Sequence, residues 1–345
     1  MPLALAAFAV SAAILLFAWF TLTRLDLALT TLEANGTGAR IILIAIGLCL
    51  LYPLRFTLRS FGALRRSRRA LRGMNVIEAR VGAAAARQSA WIAVGLSGAV
   101  LIGALVVQFF IANNLAVSRT FFYLPLIRST FGDVLGAAWV NVYIFTVSEV
   151  LVLIWALVIA IARQAPGPAG RPIRMIATAY TDIFRGLPAI INVYLIGFGI
   201  SLTGLPYLKD WSSPTFAIIA LTLTSSAYVA EVYRAGIESI HWSQTAASRS
   251  LGLSHGQTLR FVVVPQAVRR ILPPLLNNFI GLQKDTALVN VIGALDAFNQ
   301  AKIIASSQFN LSAVSTVAFL FVLITIPQAR FVDRLIERQR RASQA

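Results

Sequence analysis

The chain has 345 residues, 58% of them hydrophobic and only 12% charged, with a mean hydropathy of +0.76. A soluble domain carries about 25% charged residues, so this chain could not cover a water-facing surface, and the same apolar excess excludes a disordered one. The formal charge of +17 would suit a nucleic-acid binder, but the basic residues clump between long apolar runs, which makes a polytopic membrane protein the expectation and removes nucleic acid as a partner.

A bilayer core takes about 20 mostly apolar residues per helix. Runs of that kind predict eight spans, near 3–22, 41–58, 89–112, 139–162, 187–204, 214–233, 270–293 and 312–330. The first has no Lys or Arg before Arg24 and is longer than the apolar part of a signal peptide, so a retained helix is expected. The single cysteine, Cys49, lies in the second run and has no partner for an internal disulfide. His241 and His255 are the only histidines, too few with one cysteine for a zinc site, and no metal site is expected.

Nine arginines follow the second run, Arg55, Arg59, Arg65, Arg66, Arg68, Arg69, Arg72, Arg80 and Arg87, whereas the connections 24–40 and 113–138 are nearly balanced in charge. The positive-inside rule makes 55–88 a cytoplasmic loop. Alternation then places 163–175, the connection after Arg234 and both termini inside. The fifth span is short and is expected to begin earlier, since 176–184 is also mostly apolar.

The chain divides by polarity. Residues 1–112 read as three helices with the basic loop 55–88, followed by an external connection, 113–136. From 137 to 335, polar and ionisable groups recur within or beside the spans, among them Glu149, Arg185, Glu231, Arg234, Lys284, Asp285 and Asp296. Such groups are costly in lipid and usually face a cavity or a partner. Glu231 and Arg234, three apart on one helical face, can also satisfy each other. Residues 336–345 form a short tail.

The most patterned stretch is the cytoplasmic connection 235–269. Ser243 can cap a helix from Gln244 to Leu251, with Gly252 supplying a left-handed turn at its end. Ser254 can cap a second helix, Gln257 to Val264, which Pro265 should interrupt. Two short helices at an angle could dock on a soluble partner or lie on the lipid surface.

Residues 252–256, GLSHG, also match the G-x-S-x-G pattern of serine hydrolases. That motif requires a strand–turn–helix setting and a histidine well downstream. Here the flanks read as helical and His255 is adjacent, so Ser254 is expected to be a cap and no catalytic residue is assigned.

Alanines, then Gly252, then Pro265 thirteen residues later, resemble the cytoplasmic coupling loop of ABC-importer permeases. The run AASRSLGLSHGQTLRFVVVPQAVRRILPPLLNNFIGLQKDTALVNVIG is similar to the polar amino-acid uptake members, the histidine, glutamine and glutamate type. DIFRGLP at 182–188, SSAYVAEVYRAGIESI at 225–240 and QAKIIAS at 300–306 extend the resemblance over about 137–335. There are departures. Ala246 stands where the loop usually has glutamate, with Ala247 and Ser248 in place of its alanine pair, and Asn277–Asn278–Phe279 replaces the usual NEF.

The resemblance implies an all-α permease with a five-helix core, preceded by three extra helices, in a bacterial cytoplasmic membrane. It would carry a polar amino acid. ATP and Mg would be held by a separate ATPase dimer, for this chain has no Gly-Lys pair and hence no Walker A loop. A second permease subunit and an external solute-binding protein would complete the assembly. Gln244, Ala246, Ala247, Ser248, Leu251, Gly252, Leu253 and Pro265 would meet the ATPase. Arg185, Ser225, Tyr228, Glu231, Arg234, Asn277, Lys284 and Asp285 are the candidates for the translocation path. An ion-coupled secondary transporter built around Lys284 and Asp285 is the alternative, but it predicts two related halves that the sequence does not show.

Overall fold

The structure, a computed structural model, describes residues 2–31, 36–208 and 210–344. Its described residues are mostly helical and contain no strand, and the chain separates into two compact units, residues 1–122 and 123–345.

The first unit contains α1 (Pro2–Thr31), α2 (Thr37–Leu50), α3 (Tyr52–Arg72) and α4 (Val76–Phe121). The span expected over 41–58 breaks at Leu51, because Pro53 has no N–H to continue the ladder of α2. The region expected to be a basic loop is instead an antiparallel hairpin of α3 and the start of α4. Arginine and alanine both favour helix, and the two helices share a seam of small residues. Pro53, Thr57, Ser60, Ala63 and Ser67 are buried on α3, and Ala79, Ala86, Ala90 and Ala93 on α4. Those intervals of three, four and seven keep each set on one face. Small side chains let the backbones come close: the Ser60 hydroxyl donates to the Ala86 carbonyl at 2.8 Å and that of Ser67 to the Ala79 carbonyl at 2.7 Å. At Gly82 a Cβ would stand 3.0 Å from that of Ser67. Asn75 caps α4 by accepting from the Glu78 N–H at 3.1 Å. The α4 ladder is interrupted at Ala112–Leu115, where Asn113, Asn114 and Leu115 have positive φ.

The second unit contains α5 (Leu124–Arg163), α6 (Arg171–Gly186), α7 (Ala189–Leu202), α8 (Ser213–Glu238), α9 (Trp242–Ser250), α10 (His255–Thr258), α11 (Val264–Asp285), α12 (Ala297–Gln308) and α13 (Ser312–Gln344). The helix α8 is central. Phe216, Ala217, Leu221, Val229 and Ala230 pack with Ile144, Val152 and Ala156 of α5 and Leu282 of α11. Near its end, Gly236 leaves room for Ile271 of α11, whose side chain would collide with any Cβ there. A second cluster joins Val134 of α5 to Ala297, Ala301 and Ile304 of α12 and Val317 of α13.

Asp296, fully buried, fixes α12. It accepts from the Asn299 N–H at 3.0 Å as the N-cap, and from Asn141 Nδ2 at 3.0 Å. The other end of that amide accepts from the Ala297 N–H at 3.0 Å. A buried carboxylate at a helix start is thus satisfied by donors on two elements.

Five helical stretches among the described residues are long and apolar enough to cross a membrane, with Thr37–Arg72 and Val76–Arg163 each counting as one, and six if the bent pair α6–α7 is included. Two expected spans differ in shape. The fifth does not extend straight back into 176–184, because α6 and α7 meet at 105° across Leu187–Pro188. The stretch 270–293 is not one helix, since α11 stops at Asp285 and a 3₁₀ turn carries Thr286–Ile292.

Candidate functional site

Two features of the second unit carry chemistry, an exposed helical block over residues 241–265 and a polar cavity between α5, α8 and α11.

In the block, α9 runs from Trp242 to Ser250, and its N-cap is His241, whose side chain accepts from the Ser243 N–H. The cap expected at Ser243 therefore lies two residues earlier, because His241 is the residue with extended backbone just before the helix (φ −60°, ψ 136°). The C-terminal turn is complete. Gly252 has φ +85°, its N–H donates to the Arg249 carbonyl at 3.0 Å, and the Leu253 N–H reaches the Ser248 carbonyl at 3.2 Å. Together these two bonds make a Schellman motif, which satisfies carbonyls that the helix end would otherwise leave open.

Ser254 begins α10 with a reciprocal pair. Its N–H donates to Gln257 Oε1 at 2.8 Å, and its hydroxyl oxygen accepts from the Gln257 N–H at 3.3 Å, a capping box with glutamine. This occupies Ser254 as a cap in a helical setting and leaves no nucleophile elbow. The chain does not stop at Pro265, as the proline rule would suggest. A π turn over Leu259–Val263 widens the backbone, and α11 starts at once with Pro265 in its first turn, where no N–H is needed.

The two short helices are locked to each other by the Ser248 hydroxyl, which donates to Thr258 Oγ1 at 3.2 Å; both residues are buried. Gln244, Ala246, Ala247, Gly252 and Pro265 are exposed, Leu253 is half-buried, and Trp242 and Leu251 present 73% and 83% of their surface. Two large apolar side chains thus stand out from a rigid, capped scaffold.

The cavity has a volume of about 220 Å³ and is lined by Glu149, Thr224, Ser225, Tyr228, Asn278 and Asp285 among others. Of the sequence-derived path candidates, Ser225, Tyr228 and Asp285 meet here. Asn277 and Lys284 are not among the lining residues and are exposed. Asn278 lines the cavity in place of its neighbour, and Glu149 brings a second carboxylate from α5.

Next to the cavity, Tyr228 leads to an ion cluster. The Arg185 guanidinium lies over the Tyr228 ring, 5.8 Å from its centre, and the Tyr228 hydroxyl donates to the Arg185 carbonyl at 3.3 Å. Glu231 pairs with Arg163 and with Arg234, and Arg185 reaches it at 3.9 Å; Arg234 pairs also with Glu238. Glu231 and Arg234 do satisfy each other, and Arg163, which sequence reasoning had treated as a loop residue, completes the hub. One carboxylate on α8 thereby ties the ends of α5 and α6. Among the described residues no group of three or more His, Cys, Asp or Glu side chains gathers that could hold a metal ion.

Comparison with known proteins gives a consistent result. The model of the family described as binding-protein-dependent transport system inner membrane component matches residues 153–341. The arginine transport system permease protein of Bacillus subtilis is 31% identical over 227 residues, covering 66% of this chain and 97% of that protein. The glutamate transport system permease protein of Corynebacterium glutamicum is 31% identical over 216 residues, 60% of this chain and 93% of that protein. A crystal structure of an amino acid ABC transporter with histidines aligns with a TM-score of 0.54 at 31% identity, covering 63% of this chain and 95% of that chain. An inward-facing methionine ABC transporter shares the fold at 20% identity, with a TM-score of 0.50 over 61% of this chain and 97% of that chain. These matches favour an ABC permease over an ion-coupled secondary transporter, and the chain belongs to the binding-protein-dependent transport system inner membrane component family, the multi-pass permease subunits of ABC importers.

Proposed function

We propose that this chain is the membrane pore subunit of an importer for a polar amino acid, with both termini and the 235–269 connection in the cytoplasm. A separate ATPase dimer hydrolyses Mg-ATP, a second permease subunit of the same or a similar chain faces this one, and an external solute-binding protein delivers the cargo.

The observation that carries this reading is the block 241–265. Its capping box, Schellman turn and Ser248–Thr258 lock make a rigid object that exposes Trp242 and Leu251. A stiff element is what a mechanical linkage needs, since closure of the ATPase can then tilt α8 and α11, the two helices the block joins. Gln244, Ala246, Ala247, Ser248, Leu251, Gly252, Leu253 and Pro265 form or support its docking side. The path runs past Ser225, Tyr228 and Asp285, with Glu149 opposite. Two carboxylates in one cavity suit the ammonium group that every amino acid carries. Glu231, Arg234 and Arg185 belong to the hub that couples the ends of α5, α6 and α8, and Asn277 and Lys284 keep a place outside the cavity wall.

The test is purification of the tagged chain in mild detergent with identification of what accompanies it. A stoichiometric P-loop ATPase, released when Leu251→Asp is introduced in the block, is the expected result. Purification without any ATPase, repeated after gentle crosslinking, would overturn the proposal.

A further inference from the structure

We propose that the arginine-rich hairpin of α3 and the first turns of α4 is a docking surface for an acidic amphipathic helix of a cytoplasmic protein, seated along Ile77, Val81 and Ala84. The hairpin lies outside the part of the chain that matches the permease family, and the inference rests on the orientation proposed above.

The geometry of α4 supplies the seat. Ala79, Ala86 and Ala90 face α3, and Ile77, Val81 and Ala84, at i, i+4 and i+7, fall on the opposite side. Among the described residues of its own unit that second stripe is left uncovered: Ile77 is 79% exposed and Val81 65%, and Ala84 is also exposed. Arg80 and Arg87 run along one edge of the stripe at the same helical spacing, both exposed. An apolar strip with a charged rim is the surface that an amphipathic helix lays itself along.

Charge selects the partner. Between residues 52 and 88 the hairpin carries nine arginines, all exposed, against the single carboxylate of Glu78. A second copy of this chain would bring the same positive charge to the same place, and the tail after Asp333 is itself arginine-rich. Neither can neutralise the hairpin, but an acidic helix can, through forked guanidinium–carboxylate contacts.

The bilayer is a poorer occupant. Helix α4 continues unbroken from its apolar run through residues 76–88, and thirteen residues at 1.5 Å each carry its start about 20 Å beyond that run. The headgroup layer is only about 5–8 Å deep on each side, and salt screens charge over about 8 Å. A helix that binds the membrane surface lies along it, whereas α4 runs on in line with its apolar run and carries Ile77 and Val81 away from that surface.

The experiment places a photoreactive amino acid at position 77 of the full chain in its native membrane, with mapping of the crosslinked peptide. The expected result is one acidic segment with helical apolar spacing from a soluble protein. Its yield should fall at least tenfold in the Arg80→Glu/Arg87→Glu variant and persist in Arg80→Lys/Arg87→Lys. Crosslinks to lipid, to nucleic acid or to this chain would overturn the proposal, as would no crosslink at all or one indifferent to charge reversal. Orientation is read separately. Met74→Cys in a Cys49→Ser background should react with an impermeant thiol reagent only from the cytoplasmic side, and labelling from outside would overturn the topology instead.

Discussion

Replacing Gly252 tests the proposed coupling role of the 241–265 block at its most constrained point. The residue sits at φ +85°, and an added Cβ would meet nothing within 4 Å. Any penalty inside this chain is therefore one of backbone conformation, not of crowding. A left-handed conformation costs an L-residue about 1–2 kcal/mol, which corresponds to a factor of about 5–30 in the population of the intact turn. If the turn opens, the bonds from the Gly252 and Leu253 N–H groups to the Arg249 and Ser248 carbonyls are lost, and with them the placement of Ser248 against Thr258. Asparagine tolerates this region better than alanine, and a β-branched residue tolerates it worst.

The expected order of transport is thus Gly252, then Asn, then Ala, then Val, with membrane abundance unchanged. The assay compares uptake and ATP hydrolysis in vesicles holding the full assembly. Hydrolysis per molecule transported should rise along the series as the linkage loosens. Wild-type uptake by Gly252→Val at equal abundance would refute the argument. A variant order of Ala, Asn, Val would refute it differently, since it would mean that side-chain volume against the docking partner decides the outcome and backbone strain does not.

Four further tests probe the rest of the second unit. Gly236→Ala should lower thermal stability in detergent by about 1–3 kcal/mol through overpacking on Ile271, and the loss should be smaller in an Ile271→Ala background, which lacks the Cγ1 and Cδ1 that a Cβ at position 236 would strike; simple additivity would show that the two sites do not share space. Asp296→Ala removes the cap of α12 and one of the three partners of the Asn141 amide, so a loss of at least the ~0.5–2 kcal/mol of a cap is expected, smaller for Asp296→Asn, as read by thermal unfolding. Glu149→Gln with Asp285→Asn should abolish uptake while the ATPase still copurifies, and undiminished uptake would remove the cavity from the path. Ala246→Glu, on an exposed position of α9, should assemble normally, and loss of the ATPase on purification would show that the docking groove rejects a carboxylate there.

What the sequence could and could not disclose follows from the range of each interaction. The turn at Gly252 and the cap at Ser254 involve residues within five positions of each other, so their signals lie together in the chain. The cap of α9 was local too, yet His241 and Ser243 are both competent, and only the backbone just before Trp242 decides between them. Pro265 misled for a related reason: the proline rule is correct, but the π turn before it lets one helix follow another without a break. The α3–α4 hairpin was hidden because its seam is built from alanine and serine. Such positions bury little apolar area and show no hydropathy contrast, whereas close backbone approach and the hydroxyls of Ser60 and Ser67 hold them.

The polar cavity shows the limit most clearly. Glu149 and Asp285 come from α5 and α11, far apart in sequence, and each reads alone as one costly group in an apolar run. Hydropathy registers the cost of placing a carboxylate in lipid but carries no information about what receives it. Arg163 is the converse case. At the end of α5 it counts as a topology signal, one more positive charge on the side the positive-inside rule makes cytoplasmic, and in the fold it pairs with Glu231 across to α8. The same arginine can serve both purposes because insertion responds to the sum of charges near a helix end, while folding responds to their positions. Of the arginines in this chain, those at the ends of α5, α6 and α8 find carboxylates within their own unit, and those of the hairpin remain turned outward. Position in the fold, and not the total of +17, separates the charges that tie α5, α6 and α8 together from those exposed on the hairpin.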